Sequence, residues 1–148
     1  MSTALRPTVE RLFSALEAKD LAAALATFAD DAVSIDPHYP VSRLEGKAAI
    51  AEGLRWAFST LKTMRFPIVT YCESEDGTHA AVEVATAHVA AAGMHLNFPQ
   101  AFFIDVHEGL ITRVQAYTPY GPNGVGGLFR LLARLQWRLS GKPAGRKR

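Results

Sequence analysis

At 148 residues, with 49% hydrophobic and 20% charged positions, the chain has the size and mix of one folded domain, which excludes a disordered or fibrous protein. The formal net charge of +2 hides a split: residues 1–120 carry nine Lys or Arg and all fourteen Asp or Glu, while residues 121–148 carry seven basic residues and no acid. No apolar run approaches the ~20 residues of a membrane span, the opening MSTALRPTVERLF lacks an export pattern, and the lone Cys72 excludes an intrachain disulfide, so a cytoplasmic protein is expected.

Pro7 and Thr8 are expected to open a first helix, Thr8 as its cap, with Glu10 placed to suit the helix dipole. Val9, Leu12, Phe13 and Leu16 follow helical spacing. Asp20 then caps a short second helix with Leu21, Leu25 and Phe28 on one face. Ala32 to Asp36 reads as a short strand stopped by Pro37, and Pro37, Pro40 and Gly46 bracket a loop. Lys47 to Leu61 reads as a third helix burying Ile50, Leu54, Ala57, Phe58 and Leu61.

From Thr63 the period changes to two. Strands are expected over residues 64–74, 79–92, 94–107 and 110–118, joined at Asp76-Gly77, Gly93 and Glu108-Gly109. Val82, Val84, Thr86 and His88 share one strand face, and Leu96, Phe98, Gln100, Phe102, Ile104 and Val106 share another. Such a meander must bury one side, and the three helices are there to cover it. The pattern predicts an α+β cone-shaped roll over residues 1–120, with three N-terminal helices on one curved antiparallel sheet around a mostly apolar pocket.

Residues 121–148 form a glycine-rich hinge, an amphipathic helix and a basic tail within the same domain. Over Val125 to Leu139, Leu128, Leu131, Leu132, Leu135 and Leu139 fall on one arc with Val125 and Phe129. Arg130, Arg134 and Arg138 form a row on the opposite side, with Trp137 at the boundary, and Gly141 and Pro143 end the helix. The arc is expected to dock on the cone, where the helix would close the pocket mouth as a lid, or on a second copy in a homodimer. Contact with a membrane surface is open but less favoured, and the short basic stretch without a recognition motif argues against nucleic acid.

The segment Asp20-Leu21 through Phe28-Ala29-Asp30-Asp31-Ala32-Val33-Ser34-Ile35-Asp36-Pro37, followed by Gly46-Lys47-Ala48-Ala49-Ile50, resembles the opening of the nuclear transport factor 2-like superfamily. Val106-His107-Glu108-Gly109-Leu110-Ile111-Thr112-Arg113-Val114 through Tyr117 is similar to that superfamily's last hairpin. The group includes ketosteroid isomerases, SnoaL-type polyketide cyclases and limonene-epoxide hydrolases. The resemblance implies the cone fold over about residues 8–120 and sets Asp36 where the isomerases carry their general base. It also sets Leu12 and Phe102 (Ala101 if the register shifts by one) where the isomerases carry oxyanion donors. Ala116 falls where the epoxide hydrolases carry a carboxylate. A working steroid isomerase or epoxide-hydrolase triad is therefore not expected.

Asp36 is accordingly the leading candidate for a catalytic residue, a base for a proton beside a carbonyl, against the plainer role of tidying the turn at Pro37. His88 is the second, as acid, base or hydrogen-bond donor if its strand face is the concave one. Gln100 and Phe102 on the neighbouring strand, Trp56 and Tyr117 as wall aromatics, and His38 and Tyr39 at the rim are the candidate ligand contacts. The five histidines are scattered and the glycines of residues 121–127 lack a phosphate-loop lysine, so no metal or cofactor is expected. Two readings stand: a proton-transfer enzyme for a small apolar carbonyl compound, or a module that binds an apolar molecule or a protein without chemistry.

Overall fold

Helical spacing gives way to strand alternation near residue 61, and the molecule is built in that order. The computed structural model describes residues 5–118 and 125–142. Helix α1 (Leu5–Ala18) starts before Pro7, which its first turn tolerates. Thr8 is therefore not a cap: it is buried inside the helix, and its hydroxyl donates to the Gly109 carbonyl at 3.1 Å, tying α1 to the last hairpin. Asp20 does cap α2 (Leu21–Leu25), its carboxylate accepting the Ala23 N–H at 2.9 Å.

Strand β1 (Phe28–Ile35) begins four residues earlier than expected, so Phe28 belongs to the sheet and not to the face of α2. A short strand that periodicity could not reveal, β2 (Arg43–Glu45), pairs antiparallel with β1. Helix α3 (Lys47–Thr60) follows, burying Ile50, Leu54 and Ala57 while Phe58 stays half-buried. The strand expected over residues 64–74 is shorter, β4 (Ile68–Glu73), and an unexpected short strand, β3 (Leu61–Thr63), precedes it, with residues 64–67 between them. Pro67 explains the break, since it has no N–H to give to a ladder. Long strands β5 (His79–Ala90), β6 (His95–His107) and β7 (Leu110–Tyr117) complete the meander.

The strand order is β2-β1-β7-β6-β5-β3, with β4 also on β5. The sheet is not wholly antiparallel: β1 lies parallel to β7, with Phe28 opposite Ile111 and Ser34 opposite Val114. Parallel pairs need a long connection, and here the path runs through α3 and the whole meander. Register shifts in the β1–β7, β4–β5 and β6–β7 pairings bend the sheet. Its concave face carries Val82, Val84, Ile104 and Ile111, packed in one core with Val9, Leu12, Phe13, Ile50 and Leu54 of the helices. Each such side chain contributes about 1.5–3 kcal/mol of burial.

Gly53 sits inside α3, where glycine costs helix stability, and its reason is close packing. A Cβ there would overlap Leu44 Cδ1 and press on the Tyr39 ring edge at 3.1 Å. Gly53→Ala is therefore expected to lose about 1–3 kcal/mol by overpacking, despite alanine's better helix propensity. Denaturant unfolding measures it, and a stabilised variant would mean that Leu44 and Tyr39 move aside without cost.

Helix α4 (Val125–Leu139) has the predicted bounds and the opposite orientation. Ala133 and Trp137 are buried and Arg130 and Arg134 half-buried, whereas Leu128, Leu131, Leu132, Leu135 and Leu139 are exposed. The expectation that the leucine arc docks on the chain's own cone is thus overturned. The concave face is already filled by α1–α3, and the large indole of Trp137 joins the core instead. Lys142, whose ammonium lies 3.4 Å from Glu52 of α3 and above the Trp137 ring, fixes the far end. The first hinge glycines at residues 121–124, the tail at residues 143–148 and the side chains of Val125 and Phe129 lie outside the described residues.

Candidate active site

A cavity of about 100 Å³ lies between the concave sheet face, α1 and α3. Its wall is mostly carbon: Leu12 and Phe13 from α1, Leu54 and Ala57 from α3, Phe102, Val114 and Ala116 from the sheet. Polar atoms enter from five residues worth naming: Ser34, Asp36, Tyr39, His88 and Gln100.

Asp36 follows the last residue of β1, and its N–H, donating to the Ser42 carbonyl at 2.9 Å, holds the loop closed behind it. Its side chain is only 15% exposed. Oδ1 accepts the His38 backbone N–H at 2.8 Å and stands 3.1 Å from His38 Nδ1. The turn-forming role and a place on the cavity wall therefore coexist in one carboxylate.

Tyr39 packs on Trp56 with ring centroids 5.6 Å apart. Burial, and secondarily the Asp36 charge, push its hydroxyl well above the ordinary value, which keeps it a neutral donor. His38, expected at the rim, is not among the residues that line the cavity; its ring lies 5.0 Å from that of Phe98.

His88 is 8% exposed on the concave face of β5. Burial lowers it from 6.5 to about 4, so the ring is neutral at neutral pH. The break after β3 sets its tautomer: freed from the ladder, the Arg65 N–H donates to His88 Nδ1 at 3.2 Å, which leaves the proton on Nε2. The next N–H, of Phe66, goes to Glu17 of α1 at 2.7 Å, and the Phe66 ring stands edge-on to His88 at 4.8 Å. On β6, Gln100 Oε1 accepts the Thr86 hydroxyl at 3.0 Å, so the Gln100 amide N–H₂ is the group left to donate.

The structure thus brings Asp36, Tyr39, Trp56, His88, Gln100 and Phe102 to one cavity. Tyr117 is elsewhere: it is 53% exposed on the convex side, against Phe103. Alternation along β7, with Ala116 inward, puts the next residue outward. Ser34, Met64 and Phe66 also line the wall, and the sequence pattern does not single them out; Pro67 is the one signal that Phe66 leaves the strand. Leu12, Phe102 and Ala116 line it too, so the wall is apolar at the three positions where the resemblance implies other chemistry. Among the described residues no group of three His, Cys, Asp or Glu could hold a metal ion.

The sequence model of the SnoaL-like domain matches residues 9–114, most of the chain, and the chain belongs to that family, within the nuclear transport factor 2-like superfamily. A candidate polyketide cyclase of Xanthomonas campestris is similar in structure, with a TM-score of 0.68 and 25% identity over 78% of this chain and 90% of that one. An LEH-like epoxide hydrolase of M. tuberculosis shares the fold, with a TM-score of 0.69 and 23% identity over 90% of this chain and 95% of that one. So does a protein of Catenulispora acidiphila with a ketosteroid isomerase-like fold, solved with trimethylamine, at a TM-score of 0.68 and 17% identity over 77% and 86% of the two chains. A comparison with curated proteins gives no match.

Proposed function

We propose that this SnoaL-like protein is a small enzyme that moves a proton on an apolar carbonyl compound. Asp36 is the base, and His88 and Gln100 hold the oxygen. The observation that carries this reading is the little-exposed Asp36 carboxylate on the same apolar cavity as a neutral His88 and a Gln100 whose Oε1 is already occupied. Asp36 removes a proton from the carbon beside the carbonyl, and the electron pair moves to the carbonyl oxygen. His88 Nε2–H and the Gln100 amide donate to that oxygen, a stabilisation worth about 10²–10³ in rate per donor in an enclosed site. The proton then returns to another carbon, which is isomerisation, or the enolate carbon attacks a second carbonyl of the same molecule and the proton held by Asp36 goes to the new alkoxide oxygen, which is cyclisation. The similarity to a candidate polyketide cyclase favours the second outcome. A cavity of about 100 Å³ encloses the reacting end of such a molecule and not the whole, since drug-sized ligands fill about 300–1,000 Å³.

The test is solvent-deuterium exchange in D₂O, followed by proton NMR on a panel of tetralones, decalones and aryl β-diketones. The α-proton signals should vanish at least about 10²-fold faster than in buffer. The alternative, a binding module without chemistry, draws on the Asp36 Oδ1 contacts that serve the turn. Ligands that raise the melting temperature yet show no exchange would establish it. On Δ5-3-ketosteroids activity should be negligible even where the steroid binds, because Leu12 and Phe102 offer no donor at the positions where the isomerases hold the steroid oxygen, and a cavity of about 100 Å³ is small for a steroid ring system. A robust isomerisation rate would show that His88 and Gln100 reach the steroid oxygen as well.

A further inference from the structure

The leucine arc of α4 is turned away from the cone. Leu128, Leu131, Leu132, Leu135 and Leu139 are between 54% and 79% exposed, and helical spacing sets them within about 100° of one another. A helix of this length lies about 22 Å along the surface, and monomers in water rarely leave such a contiguous apolar patch bare. Among the described residues nothing of its own chain covers the arc, and α4 docks through Ala133 and Trp137 on the other side.

Charge decides between the remaining occupants. Residues 121–148 hold seven basic side chains and no acid. Two arcs packed against each other would set two such basic segments side by side with no acid in either. An anionic lipid surface supplies that charge across its whole area, and leucines flanked by cations are what the boundary between headgroups and acyl chains accepts. We propose that α4 lies flat in the surface of an anionic membrane, its five leucines immersed and Arg138, at the edge of the arc, on the lipid phosphates. No helix among the described residues is long and apolar enough to cross a membrane, so this is a surface contact. The membrane contact does not rest on the proposed carbonyl chemistry.

Flotation of the full chain with phosphatidylcholine vesicles, with and without about 30% phosphatidylglycerol, tests it independently of turnover. The protein should float with the anionic vesicles only, and should be released when salt rises from about 0.1 M to about 1 M, where the Debye length falls from about 10 Å to about 3 Å. Leu131→Glu/Leu135→Glu changes two exposed residues, so the melting temperature should hold while partitioning falls at least about 100-fold. Arg138→Gln, a milder change, should weaken partitioning about five-fold. Absence of flotation with anionic vesicles would overturn the proposal, as would flotation indifferent to the leucine pair. A dimer by light scattering that the leucine pair converts to monomer would also overturn it and assign the arc to a second copy.

Discussion

Asp36→Asn should lower turnover by about 10²–10⁴-fold, the usual contribution of a positioned general base, and leave the melting temperature near that of the unaltered protein. The substitution separates two jobs of one side chain. An asparagine Oδ1 can still accept the His38 N–H that Asp36 accepts at 2.8 Å, so the loop after β1 keeps its turn. What it cannot do is take a proton from carbon. Deuterium exchange on whichever ketone the protein turns over reads the chemical step, and circular dichroism reads the fold. Unchanged exchange would remove Asp36 as the base, and a large loss of stability would give the turn the greater claim on it.

A second large effect is expected from acid. Folded His88 takes up a proton only near pH 4, whereas the unfolded chain takes one up below about 6.5. Between those values the unfolded state binds the extra proton, so stability falls as pH falls from about 6.5 toward about 4. The stability lost across that window is about 2–3 kcal/mol. His88→Gln keeps an acceptor for the Arg65 N–H and does not titrate, so its stability should be flatter over the same range. Equilibrium unfolding in urea at several pH values measures the difference, and parallel curves for the two proteins would mean that His88 is charged or solvated in the fold.

Much of this site is legible in the amino-acid sequence alone. Strict alternation along β5 and β6 places His88, Gln100 and Phe102 on the inner face, because a strand buried on one side leaves no freedom about which residues point in. Asp20 as a cap and the bounds of α4 follow from local chemistry. The Arg65–His88 contact is out of reach, since it depends on a strand break that gives a backbone N–H to a histidine 23 positions away. The parallel β1–β7 pair is non-local in the same way. The orientation of α4 is hidden too, because a hydrophobic stripe reports which side avoids water and not what covers it. Trp137 on the other side, with its seat in the core, decides which face meets the cone.

The β1–β7 pairing also sets an order in time. Position 28 waits for position 111, and position 35 for position 115, so the edge of β1 opposite β2 stays open while the intervening chain is being made. During synthesis the α3 segment and the first strands of the meander leave the ribosome before β7 exists, and only its arrival inserts β1 between β2 and β7. Closing so long a loop is slow compared with forming the β5–β6 hairpin, whose strands are joined by a few residues. A nascent chain halted short of Tyr117 therefore carries an unpaired strand edge beside the apolar residues of α1, and that species is the one a chaperone would meet.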